Sequence, residues 1–183
     1  MEDKRALRKR VRGLMDAQTP DDRRRKSLAV GEKLFALKKF TKAPVVCFYA
    51  AMPHEVDTAP MIDRALTSGM RVCVPHCDMQ TVELALYEIS SRAHLEAGTW
   101  GIPEPEPLPA RLVRPEDVAC VIVPGVAFDA DGNRIGNGKG FYDRFLKKLK
   151  PGALKIGLAY SLQMVARVPV DTHDVKLDLV LTD

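Results

Sequence analysis

Residues 132–146 read GNRIGNGKGFYDRFL, with Gly132, Gly136, Gly138 and Gly140 inside nine residues and Arg134 and Lys139 among them. Glycine has no Cβ, so its main-chain N–H can approach an anion closely and φ can be positive. A run of such N–H groups ahead of a helix start makes an anion-binding concavity, reinforced by the positive end of the helix. Arginine adds a flat fork that grips two phosphate oxygens, and lysine adds a point charge. The chemistry these types and spacings suit is phosphate binding. The spacing excludes the two commonest phosphate motifs. Gly138-Lys139 is followed by Gly140 rather than Ser or Thr, and position 133 is Asn, so there is no Walker A loop. Gly136-x-Gly138-x-Gly140 lacks the extra residue of the dinucleotide fingerprint. On spacing alone a Gly/Asn-rich surface turn remains open.

The other chemistry-bearing residues are weaker signals. Asp143 falls in the first turn of the helix that should follow the loop, where an acid also complements the helix dipole. Asp174 precedes the last apolar run, a common turn position, and His173 beside it reads as structural. Cys47, Cys73 and Cys120 each sit inside a short apolar run, where a reduced thiol behaves as a small hydrophobe. Cys73-x-x-x-Cys77 encloses His76, but no second Cys/His pair stands at zinc-ligand spacing. Trp100 is the only tryptophan and stands in a Gly/Pro-rich loop. There an aromatic suits stacking on a flat ring system as well as it suits a core.

Something must hold the loop in place. VACVIVP (118–124) reads as a buried strand directly before it, and a helix is expected from about Gly140 to Leu149. That puts the glycines beyond the carboxyl end of a strand, where open α/β sheets bind ligands. Upstream, Leu7, Val11, Leu14 and Met15 share one face of a helix over 3–16. Thr19-Pro20-Asp21-Asp22 starts a second helix, with Thr as cap and Pro at the first position, running to about Leu37. VVCFYA after Pro44 and RVCVP read as buried strands, with a helix over 58–68 closed by Gly69 between them. From Thr81, TVELALYEI alternates apolar Val82, Leu84 and Leu86 with Glu83, Ala85 and Tyr87, as a strand with unlike faces does. Residues 91–116, rich in Pro and charge, read as one long loop. LKIGLAY and the second half of THDVKLDLVLTD supply the last strands. Strands alternating with helices mean an α/β domain with a mostly parallel sheet.

The chain has 183 residues and a net charge of +4, with 46% apolar and 28% charged residues. These values suit one soluble domain. No apolar run approaches the roughly 20 residues a membrane span requires. MEDKRALRKRVRGLMD lacks the apolar core of a secretory signal, so a cytoplasmic protein without membrane partners is expected. The basicity is local. Residues 1–26 hold ten Lys/Arg against five Asp/Glu, and the remaining 157 residues hold 18 against 19. A basic arm suits nucleic acid, a small polyanion or a solvated helix face. With 6% aromatic residues and balanced charge outside the arm, a nucleic-acid-binding module is disfavoured.

The stretch PGVAFDADGNRIGNGKGFYDRFL resembles the signature of the 5-formyltetrahydrofolate cyclo-ligases, also called methenyltetrahydrofolate synthetases: P-G-x-A/G-F-D-x-x-G-x-R-L-G-x-G-x-G-Y-Y-D. KRALR, FYAAMPHEVDT, TWGIPEP, LAYSLQ and VPVDTHDVKLDLVLTD resemble further segments of that family, in order, over essentially the whole chain. The resemblance implies one domain over 1–183, a three-layer α/β unit with a mostly parallel central sheet, similar to the NagB/RpiA/CoA-transferase-like fold. It implies an enzyme, expected as a monomer, that uses ATP and Mg²⁺ to convert 5-formyltetrahydrofolate to 5,10-methenyltetrahydrofolate, releasing ADP and phosphate.

By resemblance, the nucleotide positions are Lys4, Arg5, Ala6, Leu7 and Arg8 on the first helix. Arg134, Ile135, Gly136, Asn137, Gly138, Lys139, Gly140, Phe141 and Tyr142 face them from the loop. Folate contacts would come from Ala50, Met52, Glu55 and Trp100 together with residues 137–141. Glu55 would accept hydrogen bonds from the pterin edge. Lys4, Arg134, Lys139 and Tyr142 carry the catalytic roles, and Asp143 and Asp174 the Mg²⁺. The chain departs from the pattern at Asn137, where many members carry Arg or Lys, and at Phe141, where the first Tyr of Y-Y-D loses its hydroxyl. A nucleotide-using enzyme of the same scaffold with another formyl or carboxylate substrate is the alternative reading.

Overall fold

Alternate residues of the central strands enter two different cores, and that alternation organises the fold. The computed structural model describes residues 2–183. Helices α1 (Lys4–Asp16), α2 (Pro20–Ala36) and α3 (Lys38–Thr41) precede β1 (Val45–Cys47). Helix α4 (Ala59–Thr67) leads to β2 (Arg71–Asp78) and β3 (Glu83–Ile89), followed by the short strands β4 (Leu95–Ala97), β5 (Pro103–Pro105) and β6 (Leu112–Val113). Then come β7 (Cys120–Val123), β8 (Ala127–Phe128), β9 (Arg134–Ile135), α5 (Phe141–Leu146), β10 (Leu154–Ala159) and β11 (Leu179–Thr182).

Seven strands form one sheet in the order β11-β10-β7-β1-β2-β3-β6. The five from β11 to β2 run parallel, and β3 and β6 add antiparallel edges. Val46, Val72, Val74, Ile122 and Ile156 enter one core with Val30 and Leu34 of α2, Phe40 of α3 and Ile62 of α4. Their neighbours Val45, Cys47, Cys73, Val121 and Val123 enter the opposite core with Phe145 and Leu146 of α5. Period-two side chains buried on both faces put helices on both sides of the sheet. Each aliphatic side chain so buried contributes about 1.5–3 kcal/mol.

The two leading helices start as their sequences dictate. Asp3 accepts the Ala6 N–H at 2.7 Å and Thr19 the Asp22 N–H at 3.1 Å, with Pro20 in the first turn of α2. Leu7, Val11 and Met15 bury α1 against Val126, Ala127 and Ile135 of the β8–β9 hairpin. Leu14, expected on the same face, is 45% exposed, because it lies at the edge of the stripe that the i, i+4, i+8 residues define. No helix among the described residues is long and apolar enough to cross a membrane.

Four expectations are corrected. Residues 91–116 are not one structureless loop: β4 pairs with β5, β6 pairs with β3, and four 3₁₀ turns connect them. Strand β3 starts at Glu83 because Val82 takes a φ of 57° in the preceding turn. The first strand stops at Cys47, although the Phe48 N–H still bonds the Cys73 carbonyl. Helix α5 ends at Leu146, where a short Lys148 N–H bond to the Phe145 carbonyl tightens the last turn.

The β8–β9 hairpin that opens the glycine segment is organised by one buried carboxylate. Asp129 accepts main-chain N–H bonds from Asp131, Asn133 and Val168 at 3.1, 2.9 and 3.0 Å, and a fourth from the Asn133 side chain at 2.9 Å. Burial works against its charge, but these donors outweigh burial and hold its pKa below the usual carboxylate value. A depressed acid stabilises the fold above its unfolded pKa, and that stabilisation is lost as pH falls through the lower folded value. Asp129→Ala is therefore expected to cost about 2–3 kcal/mol in urea unfolding at pH 7, with the deficit shrinking below about pH 4.

Candidate active site

The order of the sheet sets where a ligand can enter. The chain builds outward from β1 to β2 on one side, then crosses to β7, β10 and β11 on the other. Between β1 and β7 the connections diverge, leaving a crevice at the carboxyl ends of those strands. A cavity of about 630 Å³ occupies it. Its walls are the segment after β1 (Tyr49, Ala50, Met52 and Glu55), Pro124 and Gly125 after β7, the glycine segment, and the first turns of α5.

One end of the cavity is cationic and built from two distant parts of the chain. Arg8 of α1 donates to the Gly136 carbonyl at 2.9 Å, and Arg12 donates to Asn137 Oδ1, so α1 is tied to the glycine segment. Gly138 and Gly140 have φ of 91° and 76°, conformations that strain a residue with a Cβ. Gly140 is also the residue that caps α5. Lys4 Nζ lies 2.7 Å from Asp171 and 2.6 Å from Asp174. Burial opposes its charge, but those two carboxylates outweigh it and raise its pKa. Asp174 is held below the usual carboxylate range by the same pairing and by the Asp171 N–H, against the opposing pull of burial.

Arg134 differs from what the sequence suggested. Its side chain is 4% exposed, donating to the Val175 carbonyl at 2.8 Å and to Asp143 Oδ1 at 2.9 Å. The fork available for phosphate is thus engaged with Asp143 and the segment that carries Asp174. Lys139 is exposed, and its ammonium has no ion pair among the described residues.

Pro75, Leu84, Ile102, Pro103 and Phe141 give the cavity an apolar lining as well, and the polar groups of Glu55, Glu104 and Tyr142 also face it. The Tyr142 hydroxyl is buried without a hydrogen-bond partner among the described residues. Glu55 accepts the Met52 N–H at 3.0 Å. Burial pushes its carboxyl up to about 7, against the opposing Met52 bond and the Arg12 charge. A half-buried carboxylate with one bond and a buried hydroxyl with none leave room for partners that a ligand with donors and acceptors can supply.

The structure thus brings Lys4, Arg8, Ala50, Met52, Glu55, residues 134–142, Asp143 and Asp174 around one cavity. It does not bring all of the basic stretch there. Arg5 and Ala6 are exposed away from the cavity, and Leu7 is in the core, because consecutive helix residues face different ways. The side chain of Trp100 lies outside the described residues. Sequence reasoning missed Tyr49, Asp171, Arg144 and Lys147, all of which line the cavity. Arg144 and Lys147 stand four and seven residues after Gly140, the spacing that continues one helix face, so the signal was present. Asp171 repeats three residues before Asp174, and Tyr49 follows the end of β1.

Comparison with known proteins adds independent findings. The profile of the 5-formyltetrahydrofolate cyclo-ligase family matches residues 1–183. A mouse 5-formyltetrahydrofolate cyclo-ligase is 30% identical over 189 aligned residues, covering 97% of this chain and 92% of that protein. The NMR structure of Aquifex aeolicus 5,10-methenyltetrahydrofolate synthetase superposes with a TM-score of 0.84 at 39% identity, covering 97% of this chain and 88% of the other. The Mycoplasma pneumoniae 5,10-methenyltetrahydrofolate synthetase gives 0.80 at 26% identity, covering 100% and 99%.

The state of Glu55 has a measurable signature in the unliganded protein. An acid whose folded pKa is raised costs stability above its unfolded pKa, and the cost grows until pH passes the folded value. Glu55→Gln is expected to raise stability by about 2–3 kcal/mol at pH 8 and by much less at pH 5, measured by urea unfolding at both pH values.

Proposed function

The chain belongs to the 5-formyltetrahydrofolate cyclo-ligase family, and from that premise we propose how the cavity carries out the conversion of 5-formyltetrahydrofolate to 5,10-methenyltetrahydrofolate at the expense of ATP. The observation that carries the proposal is a single cavity lined first by cations and the glycine segment and second by apolar side chains together with Glu55 and Tyr142. The triphosphate binds against the first lining and the folate ring system against the second, so the γ-phosphate and the formyl group meet where the two join.

The formyl group on N5 is amide-like, and its oxygen is a poor leaving group. Transfer of the γ-phosphoryl forms a bond to the formyl oxygen as the bond to the ADP oxygen breaks. N10 then attacks the formyl carbon and gives up its proton, and the carbon–oxygen bond breaks with release of phosphate. The five-membered methenyl ring remains.

Phosphoryl transfer asks a protein chiefly for positioning and charge neutralisation. Lys139, unpaired and at the mouth of the loop, takes the phosphates, while the main-chain N–H groups between Gly136 and Gly140 cradle them. Lys4 and Arg8 close over the triphosphate from α1. Arg134 acts from beneath, holding Asp143 in place. The pterin edge presents an amino group and a ring N–H, and Glu55 accepts from both. The Tyr142 hydroxyl satisfies a second polar group of the folate.

Asp143 Oδ2 and Asp174 Oδ1 make no hydrogen bond among the described residues. Mg²⁺ takes one or two carboxylates with phosphate oxygens and waters, so these two acids fit and would hold it. Bound there, Mg²⁺ supplies further neutralisation of phosphate charge.

Purified chain with ATP and Mg²⁺ is expected to convert 5-formyltetrahydrofolate to the methenyl form, read as new near-UV absorbance; no change with verified ATP binding would favour another substrate on this scaffold. Lys139→Ala is expected to raise the KM for ATP about tenfold or more, the worth of one charge-assisted contact, and to leave the KM for folate within about twofold. Equal losses on both substrates would count against the assignment.

A further inference from the structure

Glu55 lies in a segment that is neither helix nor strand, yet the main chain around it is tightly bonded. The Glu55 N–H donates to the Met52 carbonyl at 2.9 Å, and the Tyr49 hydroxyl donates to the Val56 carbonyl at 2.9 Å. Two bonds come from more distant elements. The Tyr160 hydroxyl, just past β10, donates to the Glu55 carbonyl at 2.8 Å, and Ser27 Oγ of α2 accepts the Asp57 N–H at 3.0 Å. The two hydroxyls are 3.2 Å apart.

The acceptors and donors at the two ends decide where each proton goes. A carbonyl only accepts, so the single Tyr160 proton points at Glu55. Ser27 must then donate its own proton to Tyr160 while its oxygen receives the Asp57 N–H. The result is a directional chain from Asp57 through Ser27 and Tyr160 to Glu55, bracketing Val56 from both sides.

Val56 packs into the core, but its neighbours Glu55 and Asp57 face open space. Behind it lies a second cavity of about 700 Å³ between α2 and α4, whose lining includes Met52, Glu55 and Asp57 together with Ser27 and Tyr160. The segment is thus a partition between two open spaces. The Tyr160 ring is already fully buried in the core, so its hydroxyl adds nothing to burial. We propose that Tyr160 and Ser27 are positioning residues for substrate recognition, holding the Glu55 carboxylate against the folate-binding end of the cavity by fixing its main chain. This rests on the cyclo-ligase reading for the identity of the ligand.

Equilibrium binding tests it, with 5-formyltetrahydrofolate and ADP measured separately by calorimetry. Tyr160→Phe keeps the ring and is expected to weaken folate binding about fivefold while changing ADP binding by less than about twofold. Ser27→Ala, which removes the other hydroxyl, is expected to show the same selectivity, and it carries the test if the Tyr160 variant folds poorly. In a Glu55→Gln background the Tyr160→Phe penalty on folate should largely disappear, because the residue it positions has lost its charge. Unchanged folate affinity in both variants, equal losses for folate and ADP, or a penalty that persists in full beside Glu55→Gln would each overturn the inference while leaving the cyclo-ligase reading intact. A wild-type chain that binds no folate would overturn that reading, and this inference with it.

Discussion

A cavity that is to receive a polyanion must hold several cations close together before the ligand arrives, and like charges at such distances repel by kilocalories in a poorly solvated setting. The structure meets this constraint with counter-acids drawn from its C-terminal segment and from α5. Lys4 is balanced by Asp171 and Asp174, and Arg134 by Asp143. Arg8 and Arg12 are instead engaged by neutral oxygens of the glycine segment. Of the predicted phosphate-binding cations that line the cavity, Lys139 has no side-chain partner among the described residues, so it is free to meet an incoming anion. Lys4 and Arg8 are already placed by contacts that a polyanion can replace, whereas Arg134 stays buried against Asp143.

The sheet makes this arrangement possible at low cost. Parallel strands place all their carboxyl ends on one side, and the divergence between β1 and β7 opens a crevice there without interrupting a core. The wall that holds Met52 and Glu55 follows β1, the wall that holds the glycine segment follows β7, and both strands are anchored by side chains buried on two faces. The antiparallel β3 and β6 widen the sheet beyond β2, and Leu84 of β3 extends the apolar wall. The β4–β5 pair closes over the same end through Ile102 and Pro103.

Much of this was legible in the residues. The alternation of apolar positions announced the buried strands, Thr19-Pro20 announced the start of α2, and the glycines beside Arg134 and Lys139 announced the segment that lines the cavity. Less legible was anything decided by tertiary geometry. Nothing in KRALR distinguishes Lys4 and Arg8, which reach the cavity, from Arg5, which does not; the buried stripe of Leu7, Val11 and Met15 makes that choice. Arg134 looked like a phosphate ligand because its neighbours are glycines, and only the fold shows its guanidinium sealed beneath Asp143. Residues 91–116 hid two strand pairings because two- and three-residue strands carry too little pattern to register, and proline within β5 argues locally against a strand. The clamp on Glu55 was invisible for the same reason: Ser27, Glu55 and Tyr160 are brought together only by the sheet.

The contact between Arg12 and Asn137 bears on how this site tolerates change over evolutionary time. Asn137 places a neutral amide in the glycine segment, and the Arg12 guanidinium from the opening helix rests on it. The positive charge beside this part of the loop thus comes from the opening helix. Positions 12 and 137 then form a compensating pair, in which a gain of charge at one relaxes the demand on the other, and two gains together would crowd the entrance. One contact thus couples two sites that lie 125 residues apart in the chain.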